Sequence, residues 1–296
     1  MTNRREFLAR TAAAGIAAAI SIPITRASKA AAPTRLTSKL HRPGVVQTVL
    51  GPLEASKLGF TLTHEHIDGW TPEFQKIWPK SFGGRAGFVA QAVDKLKAVR
   101  AEGVSTIVDL SPYDVGRDVR LFEEISRKSG MHIVACTGKR PSPPNSTDAR
   151  TTEELAELFI REIDQGIDGT DIKAGVIKVA TLGNGVTAFK ERALRAAARA
   201  AKATGVPIET HTRADLRGGE KQAEIFEAER VDPIRVSLGH SDDSGDMDYL
   251  RGLTKRGYTL GMDHVNRGLS PVSPLTRRVY QTTHRRRLRR QDILPT

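Results

Sequence analysis

The stretch Gly59-Phe60-Thr61-Leu62-Thr63-His64-Glu65-His66-Ile67 decides how the rest of the chain is read. It begins as an apolar, β-branched run, the composition of a strand, and ends in two histidines one residue apart. Alternate side chains of a strand share a face, so the spacing predicts His64 and His66 on one side and Glu65 on the other. Neutral imidazole is a good ligand for divalent transition metals, and two on one face make half a site. The competing reading is an ordinary polar strand end, and only ligands on later strands decide between the two.

Downstream of this stretch strand and helix patterns alternate. Strands are predicted over 60–66, 105–111, 132–138, 175–181, 207–212, 235–241 and 259–264, with helical periodicity over 87–102, 118–129, 153–165, 188–203, 220–229 and 246–255. Val89, Val93, Leu96 and Val99 show the spacing of a helix packed on a sheet. Repeated β-α units imply a parallel sheet. The expected class is therefore α/β, a (β/α)8 barrel (the TIM barrel) incomplete after its seventh strand.

Metal-competent side chains recur at the C-terminal ends of these strands. His64 and His66 close the first, Lys178 lies in the fourth, His211 closes the fifth, His240 the sixth, and Asp263-His264 the seventh. In a barrel all strands converge on one mouth at that end, and active sites are built there. Burying polar groups without partners costs a few kcal/mol each, so such a cluster reads as a built metal site rather than packing. Lys178 as an ammonium, with an ordinary pKa near ~10.4, cannot ligate a cation. It can serve as a neutral amine or, after reaction with CO2, as an anionic carbamate with two oxygens; the spacing leaves both open.

Composition narrows the class further. The chain has 296 residues, 39% of them hydrophobic, and a net charge of +12. Residues 1–30 hold +4 and residues 265–296 hold +7, which leaves only +1 on the body and removes the argument for a nucleic-acid partner. The single cysteine, Cys136, excludes an intrachain disulfide and reads as a small core residue. Arg4-Arg5 precedes a modest alanine-rich apolar run, Ala12 to Ile24, too short to span a bilayer. With Ser28-Lys29-Ala30 as a cleavage site, residues 1–30 read as a twin-arginine export signal, implying an exported or periplasmic protein with no stable membrane span once mature.

Six motifs in order carry a resemblance to a known family. They are Gly59 to Ile67, Asp114-Val115-Gly116-Arg117-Asp118-Val119, Ile177-Lys178-Val179-Ala180-Thr181, Thr210-His211-Thr212, Gly239-His240-Ser241-Asp242-Asp243 and Gly261-Met262-Asp263-His264. Over about residues 45–264 the chain resembles the phosphotriesterase family of the amidohydrolase superfamily, most closely its organophosphate-hydrolysing branch. The resemblance implies two divalent, zinc-class ions, with His64 and His66 on the buried one and His211 and His240 on the more exposed one. It also implies Lys178 bridging both as its carbamate, His264 in a proton relay at the pocket rim, and attack on a phosphotriester by a metal-bridging hydroxide. Asp263 and Asp242 or Asp243 are candidates for orienting imidazoles, and a small-molecule ester substrate and a homodimer are expected.

Two departures from the family pattern stand out. Family members continue to an eighth strand that ends in a metal-binding aspartate. After His264 this chain instead runs through Ser273-Pro274-Leu275-Thr276-Arg277-Arg278 and His284-Arg285-Arg286-Arg287-Leu288-Arg289-Arg290, where Asp292 is a poor substitute. The expectation is a truncated barrel over 31–264, an arginine-rich non-native or disordered tail over 265–296, and impaired metal retention and hydrolysis. Secondly, the branch places aromatic residues after Thr137-Gly138, where this chain has Lys139-Arg140-Pro141. A charged pocket edge points to a different ester, with lactones as the alternative substrate; Trp70 reads as a core or surface tryptophan ahead of a partial replacement for the missing apolar wall. A polyanion-binding role for the tail and an inactive product are the remaining readings.

Overall fold

The computed structural model describes residues 44–67, 77–140, 149–183 and 185–264, all within the unit spanning Thr37–Thr296. The export signal expected over 1–30, Trp70, Pro141 and the 265–296 tail lie outside the described residues. A short antiparallel hairpin, β1 (Val45–Thr48) and β2 (Gly51–Glu54), comes first. Sequence reading missed it, because four-residue strands are too short to display a period.

Seven parallel strands follow: β3 (Phe60–Glu65), β4 (Val104–Asp109), β5 (His132–Lys139), β6 (Val176–Ala180), β7 (Ile208–His211), β8 (Val236–Gly239) and β9 (Thr259–Leu260). Each is hydrogen-bonded to its neighbours in sequence, in the order β3 to β9. The helices between them are α1 (Gly84–Ala101), α2 (Val119–Ser129), α3 (Thr152–Asp164), α4 (Ala188–Thr204), α5 (Gly218–Ala228) and α6 (Met247–Lys255). Local chemistry starts them: Asp118 caps α2, Thr151 and Glu154 form a reciprocal capping box on α3, and Asp246 caps α6. No helix among the described residues is long and apolar enough to cross a membrane.

Strand alternation sorts the core into two faces. Ile133, Ala135, Ile177, Val179 and Leu238 join Phe122, Phe159, Leu194 and Phe226 in the main core between sheet and helices. Leu110, Val134, Cys136 and Val176 form a second cluster on the inner face. Each such large side chain contributes about 1.5–3 kcal/mol by leaving water. Cys136 is fully buried, as expected of a small core residue, and burial pushes its thiol up.

The sheet curls. His64 Nδ1 at the end of β3 lies 2.8 Å from Asp263 Oδ2 beyond β9, although the two residues are 199 apart in sequence. Among the described residues the outer edges of β3 and β9 have no ladder partner, in keeping with a barrel of seven strands. On the side where the strands begin, the curl encloses an open cavity of about 740 Å³ lined in part by Thr61, Thr106, Val134, Glu209 and Ser237. The last strand is shorter than the predicted 259–264: past Gly261, side-chain carboxylates take the backbone donors, Asp263 that of His240 and Asp242 that of His264.

Candidate metal centre

The histidine pair of the opening stretch does not sit on a regular strand. Between Leu62 and Glu65, β3 advances three residues while β4 advances two, from Ile107 to Asp109. One extra residue in a strand forms a bulge, which re-aims the side chains beyond it. The strand also stops at Glu65, so His66 projects from the first residue past it. The simple alternation argument is corrected by that bulge, yet the two imidazoles still meet, with ring centroids 5.9 Å apart.

The predicted ligands converge around His64 and His240. Lys178 Nζ, fully within the barrel on β6, is 2.7 Å from His64 Nε2. His240 adopts a left-handed backbone just past β8, φ 59°, and its ring centroid lies 4.4 Å from that of His64. His211 Nδ1, at the end of β7, lies 2.8 Å from His240 Nε2. His264 stacks on His240 at 3.5 Å, and its Nδ1 meets Asp243 Oδ2 at 2.8 Å. Asp242 holds the His264 backbone N–H, so of the two adjacent aspartates one holds the imidazole and the other the backbone.

Asp263 ties the cluster together. Its Oδ2 faces His64 Nδ1 at 2.8 Å and its Oδ1 faces His240 Nδ1 at 2.7 Å, while Oδ1 also accepts the His240 backbone N–H at 2.8 Å. Potential ligand atoms of His64, His240 and Asp263 lie within 4.8 Å of one another. Because both Asp263 oxygens already serve Nδ1 atoms, its part is orientation: it fixes the tautomer and leaves each Nε2 turned inward.

Electrostatics keeps the donors ready for a cation. Burial, reinforced by nearby positive charge, pushes His66 down to about 3 and His211 to about 2, and burial takes His240 to about 4 against the opposing bond to Asp263. All three are neutral imidazoles near neutral pH, the form that ligates. Burial also opposes protonation of His64, but its bonds to Asp263 and Glu209 outweigh that and raise it. Burial likewise works against the Asp263 carboxylate, yet its bonds to His240 and His64 hold it far below the usual carboxylate range. Lys178 is pulled down to about 8 by burial.

The donor set fits a zinc-class ion. Lys178 Nζ and His64 Nε2 face each other at 2.7 Å, and His240 Nε2 and His211 Nδ1 at 2.8 Å. Such inward-turned nitrogen pairs, held from behind by a carboxylate, suit imidazole-preferring divalent cations.

Three participants went unnoticed in the sequence. Ser111 Oγ lies 2.9 Å from His66 Nδ1, and Asp109 accepts the backbone N–H of both Ile67 and Ser111, bracing the turn that carries His66. Glu209 Oε1 lies 3.6 Å from His64 Nδ1. Its position two residues before His211 on one strand was the available signal, since alternate residues share the inner face. The expected charged edge is also corrected in part. Lys139 is fully buried on the opposite face of β5, with Nζ 3.1 Å from Asp114 Oδ2 and near the rings of Tyr113 and Phe189, so of these two residues Arg140 alone is exposed.

Comparison with known proteins agrees with this geometry. The sequence profile of the phosphotriesterase family matches residues 44–290. The structure of the phosphotriesterase from Mycobacterium tuberculosis superposes with a TM-score of 0.73 at 37% identity, covering 81% of this chain and 78% of that one. An aryldialkylphosphatase of Saccharolobus solfataricus is 36% identical over 228 residues, 76% of this chain and 72% of its own length. An N-acetyltaurine hydrolase of Xenopus tropicalis is 25% identical over 227 residues, 67% of this chain and 65% of its own.

Proposed function

Since the chain belongs to the phosphotriesterase family of metal-dependent hydrolases, we propose that it cleaves small-molecule esters, phosphotriesters foremost, at the centre built from His64, His66, Lys178, His211 and His240. The observation that supports this best is the convergence of nitrogens from four strands, β3, β6, β7 and β8, with Asp263 holding His64 and His240 from behind. Two divalent ions, with zinc the best match to the neutral imidazoles, would supply Lewis-acid activation of the scissile bond and of the attacking water.

The chain's own residues do the rest. Asp263 holds His64 and His240 in the orientation that directs Nε2 inward. Lys178, drawn down to about 8, has the neutral amine available that reaction with CO2 requires, and as a carbamate it would offer the centre an anionic oxygen ligand. His264 has Nδ1 engaged with Asp243, which leaves Nε2 at the mouth to take a proton during attack and return it to water. Export through the twin-arginine signal and pairing as a homodimer belong to the same reading.

The second reading is a lactonase on the same scaffold. It is favoured by Arg140, which stands where the organophosphate branch has an aromatic wall. Diethyl 4-nitrophenyl phosphate and an aliphatic lactone, assayed side by side with the zinc-loaded protein, separate the two by their kcat/KM values. In both cases chelation is expected to abolish turnover, zinc to restore it, and Lys178→Ala to lower kcat/KM about 100-fold or more. Turnover that survives both chelation and Lys178→Ala would sink the metal-centre mechanism.

A further inference from the structure

Arg140 is the first residue after β5. Along that strand Val134 and Cys136 belong to the inner-face cluster, whereas Ile133 and Ala135 pack under the helices. Thr137 donates to Glu162 of α3 and Lys139 reaches Asp114, both on the outer side. Continuing the alternation puts Gly138 and then Arg140 on the inner side. The register gives the height: Gly138 pairs with Lys178 and Lys139 with Val179, so Arg140 comes level with Ala180, which itself pairs with His211. Two strand spacings separate Arg140 from His211, about 10 Å between backbones and within reach of an arginine side chain.

Two further observations agree with this placement. The positive charge of Arg140 is felt at His66, Lys178 and His211 together, residues of three different strands. Its backbone N–H is anchored on Asp114 Oδ1 at 3.1 Å, while its side chain is exposed. Asp114 spends its other oxygen on Lys139, and among the described residues the Arg140 guanidinium has no carboxylate partner. Arg213, at the end of β7, is by contrast neutralised by Asp215 at 2.6 Å.

An anchored guanidinium with no carboxylate partner among the described residues, beside a hydrolytic centre, is a poor neighbour for an aryl leaving group and a good one for an oxyanion, which it binds through paired N–H donors. We propose that Arg140 is a specificity-determining residue that binds a carboxylate, sulfonate or phosphate substituent on the substrate, so that the preferred substrates are anionic esters. This rests on the metallohydrolase reading above.

The test uses two aryl esters of similar length that differ by one charge, 4-nitrophenyl butyrate and mono-4-nitrophenyl succinate, with the zinc-loaded full-length protein. The expected result is a kcat/KM ratio favouring the anionic ester, which falls ~10- to 100-fold in Arg140→Met, is largely rescued in Arg140→Lys, and reverses in Arg140→Glu. High salt should weaken the preference of the native protein. A ratio that is the same in native and Arg140→Met proteins overturns the proposal while leaving the hydrolase reading intact. If neither ester turns over, the hydrolase reading is judged on the phosphotriester and lactone assays above, and calorimetric titration of succinate into native and Arg140→Met protein in a chelating buffer decides the anion site. Binding lost in the variant supports it, and equal binding or none in the native protein overturns it.

Discussion

Asp263 shows how one side chain can govern a site without facing its centre. It orients two imidazoles at once, and its own charge is held by the same two bonds. Asp263→Asn keeps the shape but offers one oxygen where two are used, so one Nδ1 must face an amide donor. Zinc affinity, measured against a competing chelator, is expected to fall about 10- to 100-fold; unchanged affinity would contradict the orienting role. The convergence of the candidate ligands was legible in the sequence because histidines at strand ends announce their chemistry by type and position. The task of Asp263 was only partly so, since its contact with His64 depends on a curl spanning 199 residues. Glu209 and Ser111 were hidden for a simpler reason: each is an ordinary residue whose role exists only through the imidazole it touches.

At the level of elements, the Asp114 to Val119 motif turns out to be architectural. Arg117 donates through Nη1 and Nη2 to Glu162 of α3 at 2.8 and 2.7 Å and through Nη1 to the Cys136 carbonyl of β5, while Thr137 donates to the same carboxylate. The next residue, Asp118, caps α2. One short loop thus clamps a strand to two helices directly behind the strand that carries Arg140. Removing one partner of a buried ion pair strands the other, so Glu162→Ala is expected to cost about 3–5 kcal/mol in urea unfolding. A loss below about 1 kcal/mol would show the clamp to be dispensable. Helices and strands were legible from period and capping chemistry. The bulge in β3 and the early end of β9 were not, because both arise from competition between backbone ladders and side-chain acceptors across strands.

For the molecule as a whole, the centre links stability to pH. In the metal-free protein His66, His211 and His240 hold their protons more weakly than an ordinary histidine near 6.5. At these three residues the unfolded chain therefore binds more protons than the folded one between about pH 6.5 and 4, and the stability they give above 6.5 is lost as pH falls. His64 opposes this, since its raised value favours the fold below 6.5, and so do the carboxyls of Glu65, Glu209 and Asp242, which burial raises; the three depressed imidazoles set the expected direction. The urea midpoint of chelator-treated protein is expected to be lower at pH 5 than at pH 7.5; a rise would refute the sign. The α/β class and the seven-strand order were readable from the chain's alternating periods, while the hairpin at its start and the cavity under the centre required the assembled sheet.

The strand order has a consequence in time. Each strand of the sheet lies beside the one made just before it, so every β-α unit emerging during synthesis finds its docking partner already present. The bond between His64 and Asp263 has no such advantage, because its two ends are born 199 residues apart. Most of the sheet can therefore form progressively while the centre waits for the final strand. Ion capture at full affinity then marks the finish of assembly rather than its start, and a chain halted before Asp263 would hold its histidines without the carboxylate that aims them.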